Sequence, residues 1–260
     1  MDTGLATKSV AIFYDWCHQT LSDADRAAIS QALIDKGVVP IIAELERCTP
    51  GTEVYAALAT GLVCGAIALR PEEPRAGQWL AQGIDALGQA LDESGADGGV
   101  FAGPSLGSWL VDSCTDALDA LTVAEVRTDL FERPLLATLP EYCVSLLTPD
   151  GKVMPNFGDG VPVAGFPRTM AVLARRGSTA AAWYLKQTGT LPATTVYDLL
   201  RFDADRFRVE APDFELSCPF ADVGCAILRA GLEPHTPYLC FKSGPPERDV
   251  SANHFDHNSF

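Results

Sequence analysis

The hydrophobic pattern changes its period once along the chain, near residue 205, and that change limits the fold more than any other feature. From residue 8 to about 200, apolar residues recur at helical spacing, whereas from about Phe207 they fall into short runs bounded by Gly and Pro. A helical stretch followed by strands reads as an α+β chain, mainly α, with a helical domain over 1–205 and the start of an antiparallel β-sheet domain over 206–260. So few strands cannot bury a sheet on their own, so the chain reads as a piece of something longer.

Within the helical part, Ser22 followed by Asp23 and Asp25 marks a capped helix start, with acids where the helix dipole favours them. Ile29, Ala32 and Leu33 continue that helix, and Gly37 is expected to stop it. The next helix is expected from Glu53 to Leu69, ending before Pro71; its Ala and Gly on several faces suit close packing between neighbours. A third is expected from Arg75 to Glu93, with further helices over 105–121, 133–147, 166–175, 178–187 and 193–201. Val223–Arg229 and Tyr238–Lys242 read as strands joined through Ala230–His235, with a linker near 203–213.

A length of 260 residues allows one or two domains, and 47% hydrophobic with 20% charged residues is the balance of a folded chain. Thirty-four acids against nineteen bases give a formal charge of −15, which argues against a nucleic-acid partner or an anionic membrane surface. No apolar run approaches the roughly 18 residues of a membrane span. Met1-Asp2-Thr3-Gly4 lacks the basic and apolar parts of a signal peptide, which implies a cytoplasmic protein, or a periplasmic one if an original N-terminus is missing. The eight cysteines show no C-x-x-C spacing, and several sit in apolar runs, as in Tyr238-Leu239-Cys240-Phe241. They read as reduced, structural thiols.

Three polar clusters could carry chemistry. Asn253-His254-Phe255-Asp256-His257-Asn258 holds two of the four histidines; on a strand His254 and Asp256 would share a face, suited to general base work or to a metal. A polar loop after a strand has the same composition. Thr148–Gly160 contains the turn Pro149-Asp150-Gly151 and a second Gly-flanked acid, Asp159. Ala96–Pro104 is a Gly-rich helix-to-helix connection without the G-K-S/T ending of a phosphate loop. No G-x-S-x-G or H-E-x-x-H motif is present, and carboxylate pairs are too plentiful to single one out.

Taken in order, the chain resembles the heparinase II/III-like family of polysaccharide lyases. The resemblance rests on Phe13-Tyr14-Asp15-Trp16 with Leu21–Arg26, then Asp97-Gly98 to Gly103-Pro104, Pro149-Asp150-Gly151 and Asn156-Phe157-Gly158-Asp159. It continues through Asp222-Val223-Gly224 to Leu228-Arg229, Phe241–Pro245 and Asn253–Phe260, and so covers essentially the whole chain. It implies an incomplete (α/α) toroid followed by the first strands of an antiparallel β-sandwich. The implied reaction is β-elimination on an acidic oligo- or polysaccharide containing uronic acid. A base removes the C5 proton, an acid protonates the leaving oxygen, and polar groups neutralise the uronate carboxylate. On this resemblance His254 is the catalytic residue, while Asn156, Asp159 and His257 bind substrate. His254 and Asp256 would also be ligands for the structural zinc that some members hold; no other cofactor is implied.

The pattern is incomplete. The family's His-x-His-x-Asp signature reads Ala252, His254, Asp256; its Glu before Gly-Pro is Ala102, and a frequent Tyr is Phe157. Two alternatives therefore stand beside the lyase: a catalytically degenerate member that binds glycan, and a glycoside hydrolase on the same toroid. The acidic net charge is compatible with a polyanionic substrate if Arg168, Arg175, Arg176, Arg201, Arg206, Arg208, Arg229, Lys242 and Arg248 make a locally basic cleft. A solvated exterior would carry the same residues. The oligomeric state is not legible in the sequence.

Overall fold

The computed structural model describes residues 1–126, 128–158, 160–190, 208–213 and 215–244. Over these residues the chain is mainly helical with one small antiparallel sheet. It divides into two compact units, Met1–Glu93 with Ser113–Leu130, and Ser94–Asp112 with the chain from Phe131 onward. No helix among the described residues is long and apolar enough to cross a membrane. All eight cysteines are free thiols.

The first unit contains α1 (Asp2–Cys17), α2 (Asp23–Ala32), α3 (Val39–Leu45), α4 (Glu53–Leu69) and α5 (Ala76–Asp92), with the second part of α6 (Gly103–Val123). Ser22 caps α2 as its sequence suggests, its hydroxyl accepting from Asp25 N at 3.1 Å. Gly37 does not stop that helix. The chain passes through a π-helical segment, Leu33–Val38, straight into α3. Gly37 is there because its α-carbon lies against α1: a Cβ would stand 2.7 Å from Thr7 Oγ1.

Helix α4 is buried on almost every side, which explains its run of Ala and Gly. Against α1 the two backbones meet directly, and a Cβ on Gly61 would lie 2.6 Å from the Gly4 carbonyl oxygen. Towards α5, a Cβ on Gly83 would lie 2.7 Å from Val63 Cγ2. Tyr55 donates to Gln89 Oε1 on α5 at 2.8 Å, and Thr60 donates to the Ser113 carbonyl on α6 at 2.8 Å. A well-shielded ion pair, Lys8 with Asp116 at 2.9 Å, ties α1 to α6.

The second unit contains the first part of α6, then α7 (Pro134–Leu146), α8 (Pro167–Arg175), α9 (Thr179–Thr188) and three strands. These are β1 (Pro219–Phe220), β2 (Cys225–Arg229) and β3 (Tyr238–Lys242), antiparallel in the order β1-β2-β3. The strand expected from Val223 starts two residues later, because Ala221–Gly224 forms a turn. The helix expected over 193–201 lies outside the described residues, and so do residues 203–207 of the linker.

One sheet face is buried and carries Phe220, Cys225, Ile227, Arg229, Cys240 and Lys242; Leu228 and Leu239 point outward. Arg229 is 8% exposed. Its Nη1 donates to the carbonyls of Val144, Ser145 and Leu147 at 3.2, 3.2 and 3.0 Å, closing the C-terminal end of α7. Tyr238 donates to the Leu146 carbonyl at 3.0 Å, and Tyr142 of α7 meets the Phe220 ring edge-on.

Four outcomes follow from this packing. Gly61→Ala is expected to destabilise the protein by about 2–3 kcal/mol through overpacking. Gly77→Ala, at a position on α5 with nothing within 4 Å of the new methyl, is expected to stabilise it by about 0.5–1 kcal/mol. Urea titration of the three proteins measures both. Arg229→Met, which leaves carbonyls at the end of α7 without their donor, is expected to cost about 3 kcal/mol. Arg229→Lys should restore only part, because an ammonium lacks the guanidinium fork.

Candidate functional site

Two motifs about fifty residues apart in sequence meet at the start of α6. The segment Met154–Gly165 folds back on itself through an antiparallel bridge between Met154 and Val163, and its tip covers Gly103-Pro104-Ser105. Gly103 has φ +73° and begins α6 under the Phe157 carbonyl, where any Cβ would overlap the oxygen. Asn156 Oδ1 accepts from Ser105 N at 3.3 Å, so the side chain satisfies one of the helix's open donors. Its Nδ2 donates to the Gly158 carbonyl at 2.8 Å and holds the loop's own turn.

The same face of α6 grips the chain further on. Ser105, Ser108 and Asp112 follow at i, i+3 and i+7, one above another on the helix. Phe166 N donates to Ser108 Oγ at 2.6 Å. Asp112 Oδ1 accepts from both N and Oγ1 of Thr169, at 2.9 and 2.6 Å, which places a carboxylate at the positive end of α8. Between these anchors Phe166 adopts φ 58°, ψ 33°, a left-handed conformation that costs about 1–2 kcal/mol in a non-glycine residue. Its buried ring and these hydrogen bonds hold it there.

Next to this junction two apolar side chains stand in solvent: Trp109, one turn beyond Ser105 and 62% exposed, and Val161 of the loop, 63% exposed. Sequence reasoning did not single out Trp109. The available signal was an indole four residues after Ser105, on the same side of the helix.

Of the residues read as functional from the sequence, only Asn156 is among those described. Asp159, His254, Asp256 and His257 lie outside the described residues. Asn156 is engaged in shaping the loop and the helix start. Ala102 is buried, and Phe157 contributes its carbonyl to the contact with Gly103. Among the described residues, no group of three or more His, Cys, Asp or Glu side chains converges as a metal site.

The Gly-rich connection has a structural task. Asp97 Oδ1 accepts from Gly99 N at 3.0 Å, while Asp97 and Asp222 each accept from the other's backbone N–H, at 2.9 and 3.3 Å. Gly98, at φ +90°, fits against the backbone of Thr138, where a Cβ would come within 2.7 Å. At Pro149-Asp150-Gly151 the expected turn is present, with Gly151 N donating to the Thr148 carbonyl at 2.8 Å. Hydrogen bonds from the Thr148 hydroxyl and Lys152 N hold the Asp150 carboxyl below its ordinary pKa.

Several of the bases proposed to form a basic cleft are otherwise employed. Arg229 and Lys242 are buried, and Arg176 stacks over the Phe131 ring at 4.0 Å. Arg201, Arg206 and Arg248 lie outside the described residues.

The first unit holds a polar cluster that spacing did not reveal. Tyr14 donates to Glu72 Oε2 at 2.7 Å, and His18 Nε2 lies 2.7 Å from Glu72 Oε1. An ionised carboxylate only accepts, so the imidazole nitrogen is the donor. Burial, then the bond to Glu72, pushes the Tyr14 hydroxyl up to about 12. Hydrogen bonds from Tyr14 first and His18 second hold Glu72 below its ordinary 4.5. A carboxyl depressed on folding contributes stability above its unfolded pKa and loses it as pH falls through the folded value. The stability difference between wild type and Glu72→Gln is therefore expected to be constant at neutral pH and to shrink below pH 4.5. Urea titrations across that range measure it; a difference that persists unchanged in acid would show that the carboxylate's charge plays no part.

No family model matches the sequence, and no curated protein matches it.

Proposed function

We propose that the protein acts on uronic-acid-containing polysaccharide in the manner of a lyase, with an (α/α) toroid-type helical region and a β-sandwich-type second region. The carrying observation is the docking of Asn156-Phe157-Gly158 on Gly103-Pro104-Ser105, which brings together two of the motifs on which the resemblance rests. On this reading the glycan lies across that junction, with a sugar ring stacked on the exposed indole of Trp109. Asn156 sets the loop's shape, and Asp159 and His257 contact the substrate. His254 handles the proton in β-elimination: C5 loses its proton, the C4–O bond breaks, and the leaving oxygen is protonated. If His254 and Asp256 instead held a structural zinc, the imidazole lone pair would be taken by the metal and His254 would not carry the proton.

A second reading is favoured by Ala102 and Phe157, which supply neither the carboxyl nor the hydroxyl of the family pattern. Here the protein binds the glycan without cleaving it. The two readings separate in one experiment on alginate, pectate and heparan sulfate. Growth of ultraviolet absorbance from an unsaturated uronate supports the lyase. Binding without product, weakened about tenfold by Trp109→Ala, supports the binding protein; a tenfold loss corresponds to roughly 1.4 kcal/mol of stacking. New reducing ends without absorbance would indicate hydrolysis. Absence of both binding and product would overturn both readings.

A further inference from the structure

The buried face of the sheet carries two thiols in mutual contact. Cys225 pairs across the sheet with Lys242 and Cys240 with Ile227, so the two cysteines are diagonal neighbours on one face. Ser243 N donates to the Gly224 carbonyl and Ala230 N to the Pro237 carbonyl. That register puts Cys225 and Cys240 at non-hydrogen-bonded positions, where facing side chains come closest. Their Sγ atoms are 3.8 Å apart. Cys218, on the same side of the sheet, is directed instead to α7, with its Sγ 3.7 Å from Ser145 Oγ.

We infer that Cys225 and Cys240 form a reversible cross-strand disulfide, so that the β2–β3 hairpin is a redox-modified site. The inference is independent of the glycan reading. The oxidant is a small-molecule disulfide of the oxidised-glutathione class. One cysteine, as thiolate, attacks a sulfur of that disulfide, forms a mixed disulfide and releases one small thiol. The second cysteine, also deprotonated, attacks the protein sulfur of the mixed disulfide and releases the other small thiol. Two protein thiols are thus oxidised, one small disulfide is reduced, and the two protons leave on the released thiols. Closure to a bond of about 2.05 Å requires the sulfurs to approach by under 2 Å and the two strands to draw together, since diagonal neighbours ordinarily stand further apart than a disulfide spans. A diagonal pair is bridged with more strain than a directly opposed one, and strained disulfides are the readily reduced ones.

The surroundings set the rate. Both thiols are buried and shielded from a small-molecule disulfide, and the hydrogen bond with Cys225 together with burial raises the Cys240 pKa. Exchange therefore waits on opening of β3, one of the two outer strands of the described sheet. Once formed, the bridge links the two strands on either side of the hairpin that carries Arg229, and locks that residue's strand to its neighbour.

The test is incubation of the whole chain with oxidised glutathione, alkylation of remaining thiols, and non-reducing peptide mapping. The expected result is a peptide joining Cys225 to Cys240, with a protein mass lower by two hydrogens and reversal by dithiothreitol. Cys218→Ser should retain the linkage, while Cys225→Ser and Cys240→Ser should each abolish it. Circular dichroism of the variants checks that they fold, and the wild-type protein alone suffices if they do not. Glutathione adducts at Cys17 or Cys48 while Cys225 and Cys240 stay reduced would overturn the inference. A Cys218–Cys225 linkage, or stable mixed disulfides without closure, would overturn it as well.

Discussion

The second unit depends on one buried cation. Arg229 directs its guanidinium at the carbonyls that end α7 and carry the negative end of the helix dipole, Val144 O also accepting from Leu147 N at 3.3 Å. The charge and these acceptors therefore satisfy each other. The three described strands are short, and α7 packs against their buried face. Ser217 fixes the arginine's own backbone, its hydroxyl accepting from Arg229 N and donating to Arg229 O, both at 2.8 Å. From this anchor the order passes outward. The β1–β2 turn presents Asp222 to Asp97, that pair shapes the Gly-rich connection, and the connection delivers Gly103 to the start of α6.

The junction at α6 shows how a loop can be held without regular structure. Between Asn156 and Thr169 it is tied to a single helix face: Ser105 N donates to Asn156 Oδ1, Phe166 N to Ser108 Oγ and Thr169 N to Asp112 Oδ1. The left-handed Phe166 is affordable because its ring is buried and its N–H is bonded at the same time. Tyr184 adds a third hold, donating to the Gly165 carbonyl at 2.9 Å. Beside the loop fixed in this way, Trp109 of α6 and Val161 stand exposed to solvent.

What was legible in the sequence was local. Helix α4 matches its expected limits because its small residues and the following Pro71 act over one or two turns. The Ser22 cap and the Pro149-Asp150-Gly151 turn are likewise encoded within four residues. Gly37 misled because a glycine can serve two purposes: a positive φ, or closeness to a neighbour. Only the packing of Thr7 distinguishes them. Arg229 was read as part of a basic surface, since nothing in a five-residue strand announces a helix end eighty residues earlier. The Tyr14–Glu72–His18 cluster was hidden for the same reason, its carboxylate lying 54 residues from its histidine.

The charge distribution bears on how a polyanion could be held on the proposed reading. The chain carries fifteen more acids than bases, and two of its bases, Arg229 and Lys242, are buried in the sheet. A uniformly attractive field for an acidic glycan is therefore absent, and long-range steering cannot supply the affinity. Recognition has to act at contact distance. An exposed indole stacks on a sugar face without regard to net charge, and loop amides and hydroxyls can meet a carboxylate as neutral donors. Such contacts are little affected by salt, because screening weakens interactions between exposed charges rather than stacking or close hydrogen bonds. On the proposed reading the acidic composition and an acidic ligand are compatible where the binding surface works by shape and short-range polarity, which the exposed Trp109 beside the α6 junction would supply.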